Sequence, residues 1–258
     1  MKQRPDNRGA VEKQHGKTVP NDRSNTMANI LMVVSAADSL TMKDGSEHPT
    51  GFWAEELVVA HQTLLDAGHT VHIATPAGAK PTVDQVSLAA ESAGGEDRAK
   101  GFRDYLASID GELSNPLVLA GVDPSAYDAI VMPGGHGPMA DLYKDADLGR
   151  LLAAADKAGK VIAPFCHGPA GLLSATDDDG TFVFAGRRLT VFTNEEELGG
   201  GTGENTPWLV EDALKEKGAV IKNGAAWTSN VVRDGNLITG QNPQSSEDVA
   251  KEVLKALG

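Results

Sequence analysis

The hydrophobic positions of the chain fall into short runs separated by longer amphipathic stretches. Five runs are almost wholly apolar and are bounded by polar or turn-forming residues: 30–35, 70–75, 129–133, 160–165 and 188–192. After the first run, Trp53, Leu57, Ala60 and Leu64 recur at the spacing of one helix face. Apolar strands that alternate with helices are typical of a parallel sheet covered on both faces. The pattern therefore predicts an α/β fold, an open doubly wound parallel sheet sandwiched by helices.

Two segments depart from this alternation. Residues 79–126 are longer than an ordinary connection and contain a helical pattern near 97–109, so we expect an excursion from the sheet that serves as a wall or lid. The stretch 231–243, VVRDGNLITGQNP, has two β-rich runs around Asp234-Gly235-Asn236 and predicts a hairpin. A last amphipathic helix is expected from about Ser245.

Composition and charge narrow the class of protein. Residues 1–27 lack aromatic side chains and carry more basic than acidic groups, so we expect a disordered tail followed by one domain over 28–258. The net charge of -13 argues against binding to nucleic acid or to anionic membranes. No apolar run is long enough to span a bilayer and no secretory leader is evident, which favours a cytoplasmic location. The single cysteine excludes a disulfide within the chain.

That cysteine, Cys166, lies where the buried run 160–165 meets a predicted helix that contains Pro169. A turn from a strand into a helix can expose a nucleophile beside free backbone N–H groups, and a helix N-terminus favours a thiolate, so a lowered pKa is expected for Cys166. The alternative is a small buried core residue, because free cysteines are often buried.

Other polar residues follow the carboxyl ends of the predicted strands, where ligands bind in open α/β sheets. His167 is adjacent to Cys166 and would reach it only through a sharp turn; Glu195, Glu196 and Glu197 are candidates to orient that histidine, although a solvated loop is the alternative for each of them. Gly134 and Gly135 could place backbone N–H groups, with that of His167, around an oxyanion. Glu55 and Glu56, at the start of the first long helix, are the remaining acidic candidates.

The histidines form no HxxxH or HExxH pattern, so no metal and no other cofactor are expected.

Five stretches together resemble the ThiJ/PfpI family of the class I glutamine amidotransferase-like superfamily: TGFWAEEL, PGGHG, FCHGPAGLL, TNEEE and LITGQNPQSS. They are most similar to its branch of heat-shock chaperones with glyoxalase III activity. The resemblance implies a flavodoxin-like fold with a nucleophile elbow at Cys166, followed by His167, and a glutamate that contacts the thiol, which by motif is Glu56. For the third acid, Glu195 and Glu196 both fit. The resemblance also leads us to expect a homodimer.

The activity implied by this resemblance is a cofactor-free lyase, a D-lactate dehydratase that converts a small reactive carbonyl such as methylglyoxal to a 2-hydroxy acid without glutathione. Such an enzyme would protect a cell against reactive carbonyls under stress. Two alternatives remain open. The same residues could serve a cysteine amidase, peptidase or deglycase, and Cys166 could instead be the oxidisable thiol of a stress chaperone or redox sensor.

Overall fold

The computed structural model describes Met1 and residues 27–258, so most of the predicted tail lies outside the described residues. The strands are β1 (Asn29–Val33), β2 (Ser39–Thr41), β3 (Glu47–Pro49), β4 (Thr70–Thr75), β5 (Leu117–Val118), β6 (Ala129–Met132), β7 (Val161–Pro164), β8 (Arg188–Leu189), β9 (Val220–Ile221), β10 (Val231–Asp234) and β11 (Leu237–Gly240). The α-helices are α1 (Ala54–Asp66), α2 (Ala90–Ala93), α3 (Glu96–Ser108), α4 (Asp110–Leu113), α5 (Ala146–Lys157), α6 (Asn194–Gly200), α7 (Val210–Glu216) and α8 (Ser246–Leu257).

The main sheet has seven strands in the order β10-β11-β7-β6-β1-β4-β5. Neighbouring strands run parallel except β10 and β11, which form the predicted hairpin. Without the edge strands β5 and β10, this is the flavodoxin-like order, in which the chain direction across the sheet reverses beside β1. The predicted fold class is therefore confirmed, and the carboxyl ends of β1, β6 and β7 define the crevice where such folds bind ligands.

The two faces of the sheet pack into separate hydrophobic clusters. Along β1, Ile30 and Met32 lie in one cluster, whereas Leu31 and Val33 lie in the other. This alternation follows from the period of two in a strand. Leu57 of α1 and Val249 of α8 belong to the first cluster, and α5 packs into the second. Because both faces are covered, each central strand is apolar throughout, which is the pattern read from the sequence.

One sequence expectation needs correction. The run 188–192 is not a strand of the main sheet: only β8 is regular, and it pairs with β9 in a separate two-stranded sheet. The backbone N–H of Thr190 donates to the side-chain Oγ1 of Thr239 in β11, 2.9 Å away, so no ladder continues there. The helix expected near 97–109 is present as α3, which packs against α1.

Candidate active site

Cys166 occupies a strained turn directly after β7. Its φ of 57° lies in the left-handed region, which residues other than glycine rarely adopt. The conformation is held by two backbone hydrogen bonds of 3.0 Å: the Cys166 N–H donates to the carbonyl of Gly240, and the Cys166 carbonyl accepts from the N–H of Phe192. A Cβ on Gly168 would lie 2.2 Å from the carbonyl oxygen of Met132, so only glycine fits at that point. The turn has the geometry of a nucleophile elbow.

The turn brings the side chains of Cys166 and His167 together although they are adjacent in sequence. His167 Nδ1 lies 3.3 Å from Cys166 Sγ, and His167 Nε2 lies 2.6 Å from Oε2 of Glu197. An ionised carboxylate only accepts hydrogen bonds, so Nε2 carries the proton and the lone pair of Nδ1 faces the thiol. His167 can therefore take a proton from Cys166.

Glu197 is a buried carboxylate surrounded by donors. Besides His167 it accepts from His136 Nε2 at 3.0 Å, from the N–H and Oγ1 of Thr202 at 2.7 and 2.9 Å, and from Oγ1 of Thr206 at 3.2 Å. Burial alone would raise the pKa of Glu197, but the two histidines outweigh it and hold that pKa well below its usual range. Burial, reinforced by nearby His136, lowers the pKa of His167 although Glu197 opposes the shift. Glu197 is thus ionised and His167 neutral near pH 7.

This arrangement corrects the expectation that Glu195 or Glu196 is the third acid. Glu195 is exposed, and Glu196 is buried but points its oxygens elsewhere: Oε2 accepts from the N–H of Thr193, whose Oγ1 in turn accepts from the N–H of Glu196. The two bonds form a capping box at the start of α6. One signal in the sequence could have found this, because Thr193-x-x-Glu196 is the capping-box pattern and leaves Glu197 as the next buried acid.

Glu56 lies on the other side of Cys166, in the first turn of α1. Its Oε2 accepts from the backbone N–H of Gly134 at 2.6 Å, and Oε1 has no hydrogen-bond partner among the described residues. Burial, offset only in part by the interactions with Cys166 and Gly134, raises the pKa of Glu56 to about 8. Glu55, by contrast, pairs with Arg98 at 2.6 Å.

The pKa of Cys166 is raised rather than lowered. Burial is the largest cause and Glu56 the next, whereas the backbone N–H groups of Gly135 and His167 act in the opposite direction. The expected lowering rested on a helix N-terminus, but the chain after Cys166 forms a short 3-10 helix, Gly168–Ser174. Its few aligned peptide dipoles do not offset complete burial of the thiol.

The three backbone N–H groups predicted to stabilise an oxyanion do not all face Cys166. The N–H groups of Gly135 and His167 approach Cys166 closely enough to stabilise its thiolate. The N–H of Gly134 is already engaged by Glu56, so Gly134 positions the carboxyl group instead. A Cβ on Gly134 would lie 2.6 Å from the backbone nitrogen of His167, which explains the need for glycine there.

Three ligand atoms within the described part of the chain come together as in a metal site. They belong to His136, His167 and Glu197 and lie within 4.8 Å of one another. Each of these atoms, however, already takes part in the hydrogen bonds around Glu197. A metal ion would have to displace them, and the absence of a metal requirement remains a prediction.

Cys166 opens onto a small cavity of about 70 Å³. Its lining consists mainly of aromatic side chains and glycines around the reactive groups: Trp53, Gly135, His136, Cys166, His167, Phe192, Gly200, Gly201, Trp227 and Pro243. An apolar cavity of about 150 Å³ holds a benzene molecule, so this smaller space suits a molecule of only a few heavy atoms. No residue of the excursion at 79–126 contributes to this lining. Its expected role as a lid is therefore not supported for this cavity. His136 and Trp227 also line the cavity and were not among the site residues predicted from the sequence.

Comparisons with known proteins identify the family and fold of the chain. The sequence profile of the DJ-1/PfpI family matches residues 49–256. The chain is 30% identical over 239 residues to the protein/nucleic acid deglycase HchA of Pseudomonas aeruginosa strain UCBPP-PA14, covering 88% of this chain and 80% of that protein.

Two solved structures are also similar to this chain in fold. The crystal structure of glyoxalase III from Candida albicans superimposes with a TM-score of 0.76 at 25% identity, covering 89% of this chain and 97% of that one. The rapid encystment protein of 24 kDa from Francisella tularensis gives a TM-score of 0.80 at 30% identity, covering 90% and 100%.

Proposed function

The chain belongs to the DJ-1/PfpI family, and on that premise we propose that it is a glutathione-independent glyoxalase. It would convert a 2-oxoaldehyde such as methylglyoxal, with water, to a 2-hydroxy acid. The observation that carries the proposal is the buried carboxyl group of Glu56 beside the Cys166 thiol, in a cavity of about 70 Å³. The similarity to proteins named glyoxalase 3 and glyoxalase III supports the same reaction class.

The first step forms a bond between sulfur and carbon. His167 Nδ1, 3.3 Å from Cys166 Sγ, accepts the thiol proton as the sulfur adds to the aldehyde carbon, and a hemithioacetal results. The positive charge that develops on His167 is stabilised by ionised Glu197, 2.6 Å from Nε2. The N–H groups of Gly135 and His167 approach the same sulfur and are placed to stabilise the oxygen that becomes negative.

The second step moves hydrogen between two carbons without an external oxidant. Glu56 first gives its proton to the oxyanion of the adduct, and its carboxylate then accepts the proton of the former aldehyde carbon while protonated His167 supplies the proton of the enediol oxygen. The carboxyl group returns a proton to the neighbouring carbon and recovers one from the hydroxyl group of the former aldehyde carbon, which leaves a thioester of a 2-hydroxy acid on Cys166. Glu56 contacts the thiol, and with a pKa of about 8 it exchanges protons readily near neutrality. Water then hydrolyses the thioester and regenerates the thiol.

The Cys166, His167 and Glu197 arrangement would also suit acyl transfer by an amidase or peptidase. A polypeptide segment, however, requires an extended cleft, whereas this cavity is only about 70 Å³ and is lined mainly by aromatic side chains and glycines. The size of the cavity therefore favours the small carbonyl substrate.

Within the described residues no helix has the length and apolar character needed to cross a membrane. The homodimer remains a prediction.

Incubation with methylglyoxal in the absence of glutathione tests the proposal, with lactate as the measured product. The unsubstituted protein should form lactate, and Cys166→Ser should form none above the uncatalysed rate. Glycated peptides in a parallel assay test the deglycase reaction named for the Pseudomonas relative. Release of free amine without any lactate from methylglyoxal would contradict the glyoxalase assignment. Suppression of aggregation that persists in Cys166→Ser, with no turnover in either protein, would favour the chaperone alternative.

A further inference from the structure

Trp227 is a large aromatic residue in an unfavourable backbone conformation beside the catalytic cavity. Its φ is 60°, and 45% of the residue is exposed to solvent. A bulky side chain in the left-handed region is strained and persists only where surrounding contacts enforce it. Such strained positions are concentrated at functional sites, so the contacts that fix Trp227 are evidence for its role in the site.

The backbone of Trp227 is fixed by Glu196, the acid that does not reach His167. The N–H of Trp227 donates to Oε1 of Glu196 at 2.7 Å. The same oxygen accepts from Nδ2 of Asn242 at 2.7 Å and from Nε2 of Gln241 at 3.3 Å. Asn242 also donates to the carbonyl of Thr228, the residue after Trp227, at 2.8 Å. A fully buried carboxylate and two amide side chains thus lock this loop in place.

The indole ring is placed against two other residues that line the cavity. It meets the ring of Phe192 edge to face, with centroids 5.6 Å apart. It also lies over Gly200, where a Cβ would come within 2.8 and 2.9 Å of Cζ2 and Cη2 of the indole. Gly200 therefore leaves the space that the ring fills. Together, Trp227, Phe192 and Gly200 form one wall of the cavity that contains Cys166.

We infer that Trp227 is a specificity-determining residue: held over Gly200 by Glu196, it closes the outer wall of the cavity and limits substrates to 2-oxoaldehydes with a substituent of about methyl size. The inference rests on the proposed function for the identity of the substrate. The closure of the wall itself is a property of the pocket and is measurable without turnover.

The main test removes the indole and keeps the backbone. Trp227→Gly retains the N–H that donates to Glu196 and adopts positive φ without strain. For this variant we expect the ratio of kcat/KM for phenylglyoxal to that for methylglyoxal to rise at least 10-fold. Independently of catalysis, the rate of alkylation by N-phenylmaleimide relative to iodoacetamide should also rise at least 10-fold. Cys166 is the only cysteine in the chain, so this labelling reports that position alone.

Two glycines of α6 supply a matched pair of controls. Gly200→Ala forces the indole to move, whereas Gly199→Ala adds a methyl group with no atom within 4 Å. Gly200→Ala should change the alkylation ratio, Gly199→Ala should leave both ratios unchanged, and Gly200→Ala should have no further effect in the Trp227→Gly background. Coupling between Gly200 and Trp227 in this cycle identifies their contact as the cause.

The outcomes separate the two proposals. If Trp227→Gly leaves the alkylation ratio within twofold of the parent protein, the closed wall is wrong whatever the activity. If the alkylation ratio rises while no protein forms lactate, the wall is supported and the glyoxalase assignment fails. If alkylation rises and lactate forms but the preference for methylglyoxal is unchanged, Trp227 does not determine specificity.

Discussion

At the scale of single residues, Glu56 is the most unusual group in the site. Burial, offset only in part by the interactions with Cys166 and Gly134 and slightly reinforced by the charge of Glu55, raises its pKa to about 8. The carboxyl group is therefore mostly protonated at pH 7. A protonated acid beside a thiol can give its proton to the oxyanion of the adduct, and the resulting carboxylate can then carry a proton from the former aldehyde carbon to the neighbouring carbon, which neither Glu55 nor Glu197 is placed to do.

Replacing Glu56 by Gln tests this role in catalysis. The amide oxygen can still accept from the N–H of Gly134, but the side chain cannot relay a proton. We expect kcat for methylglyoxal to fall about 100-fold or more, the usual contribution of a general acid–base group, while Cys166 is still alkylated at neutral pH. Glu55→Gln is the control: Glu55 pairs with Arg98, so this substitution should leave kcat unchanged. Turnover of Glu56→Gln at the parent rate would contradict the proton relay.

The same variant should change how stability depends on pH. In the unfolded chain Glu56 loses its proton near pH 4.5, whereas in the folded protein it keeps the proton up to about pH 8. The folded state thus binds more protons between these values. The contribution of Glu56 to stability is fully present below pH 4.5 and is lost as the pH rises towards 8, by at most about 1.4 kcal/mol per pH unit. The melting temperature of Glu56→Gln minus that of the parent should therefore increase from pH 5 to pH 8, and a constant difference would show that Glu56 is ionised in the fold.

At the scale of elements, α6 contains three consecutive glutamates whose side chains make different contacts. Glu195 is exposed, Glu196 caps the helix and anchors Trp227, and Glu197 orients His167 and accepts from His136. A helix turns by 100° per residue, so neighbouring side chains necessarily face different directions. Only one of the three can face the histidine.

Substitutions along α6 should follow these directions. Glu197→Gln removes the charge that stabilises protonated His167, so kcat should fall about 100-fold or more. Glu195→Gln should stay within twofold of the parent protein. Steady-state kinetics with methylglyoxal measure both, and a loss in Glu195→Gln as large as that in Glu197→Gln would contradict the contacts described for α6.

The elements also show what could be predicted from the sequence. The apolar runs of β1, β4, β6 and β7 are predictable because both faces of those strands are buried. Cys166 at an elbow was also predictable, since a strand meets a Gly-Pro turn. The prediction of a main-sheet strand at 188–192 was wrong because the backbone N–H of Thr190 donates to the side chain of Thr239 and not to a strand backbone, which no local sequence pattern reveals. The position of Trp227 depends on the distant Glu196, Gln241 and Asn242, so the local sequence carries no signal for it.

At the scale of the whole molecule, distant parts of the chain converge on the carboxyl end of the sheet. Glu56 comes from α1, Gly135 and His136 follow β6, Cys166 and His167 follow β7, and Glu197 lies in α6. The opposite, amino end of the sheet contains the start of β1. There the N–H of Ala28 donates to Nδ1 of His69 at 3.1 Å. The site and the start of β1 therefore lie at opposite ends of the sheet.

A protein that begins at Met27 should consequently fold and retain its activity. The seven strands of the main sheet, both hydrophobic clusters and all the site residues lie within 27–258. We expect the melting temperature to stay within about 2 °C, which for a domain of this size corresponds to less than about 1 kcal/mol, and kcat for methylglyoxal to be unchanged. A protein that begins at Ile30 is the matched control, because it also loses the bond from Ala28 and that from the N–H of Asn29 to Asp128 at 3.0 Å. It should melt several degrees lower. If the Met27 protein itself melted about 5 °C lower or more, residues 1–26 would contribute to the folded domain, and the division of the chain at 27 would be wrong.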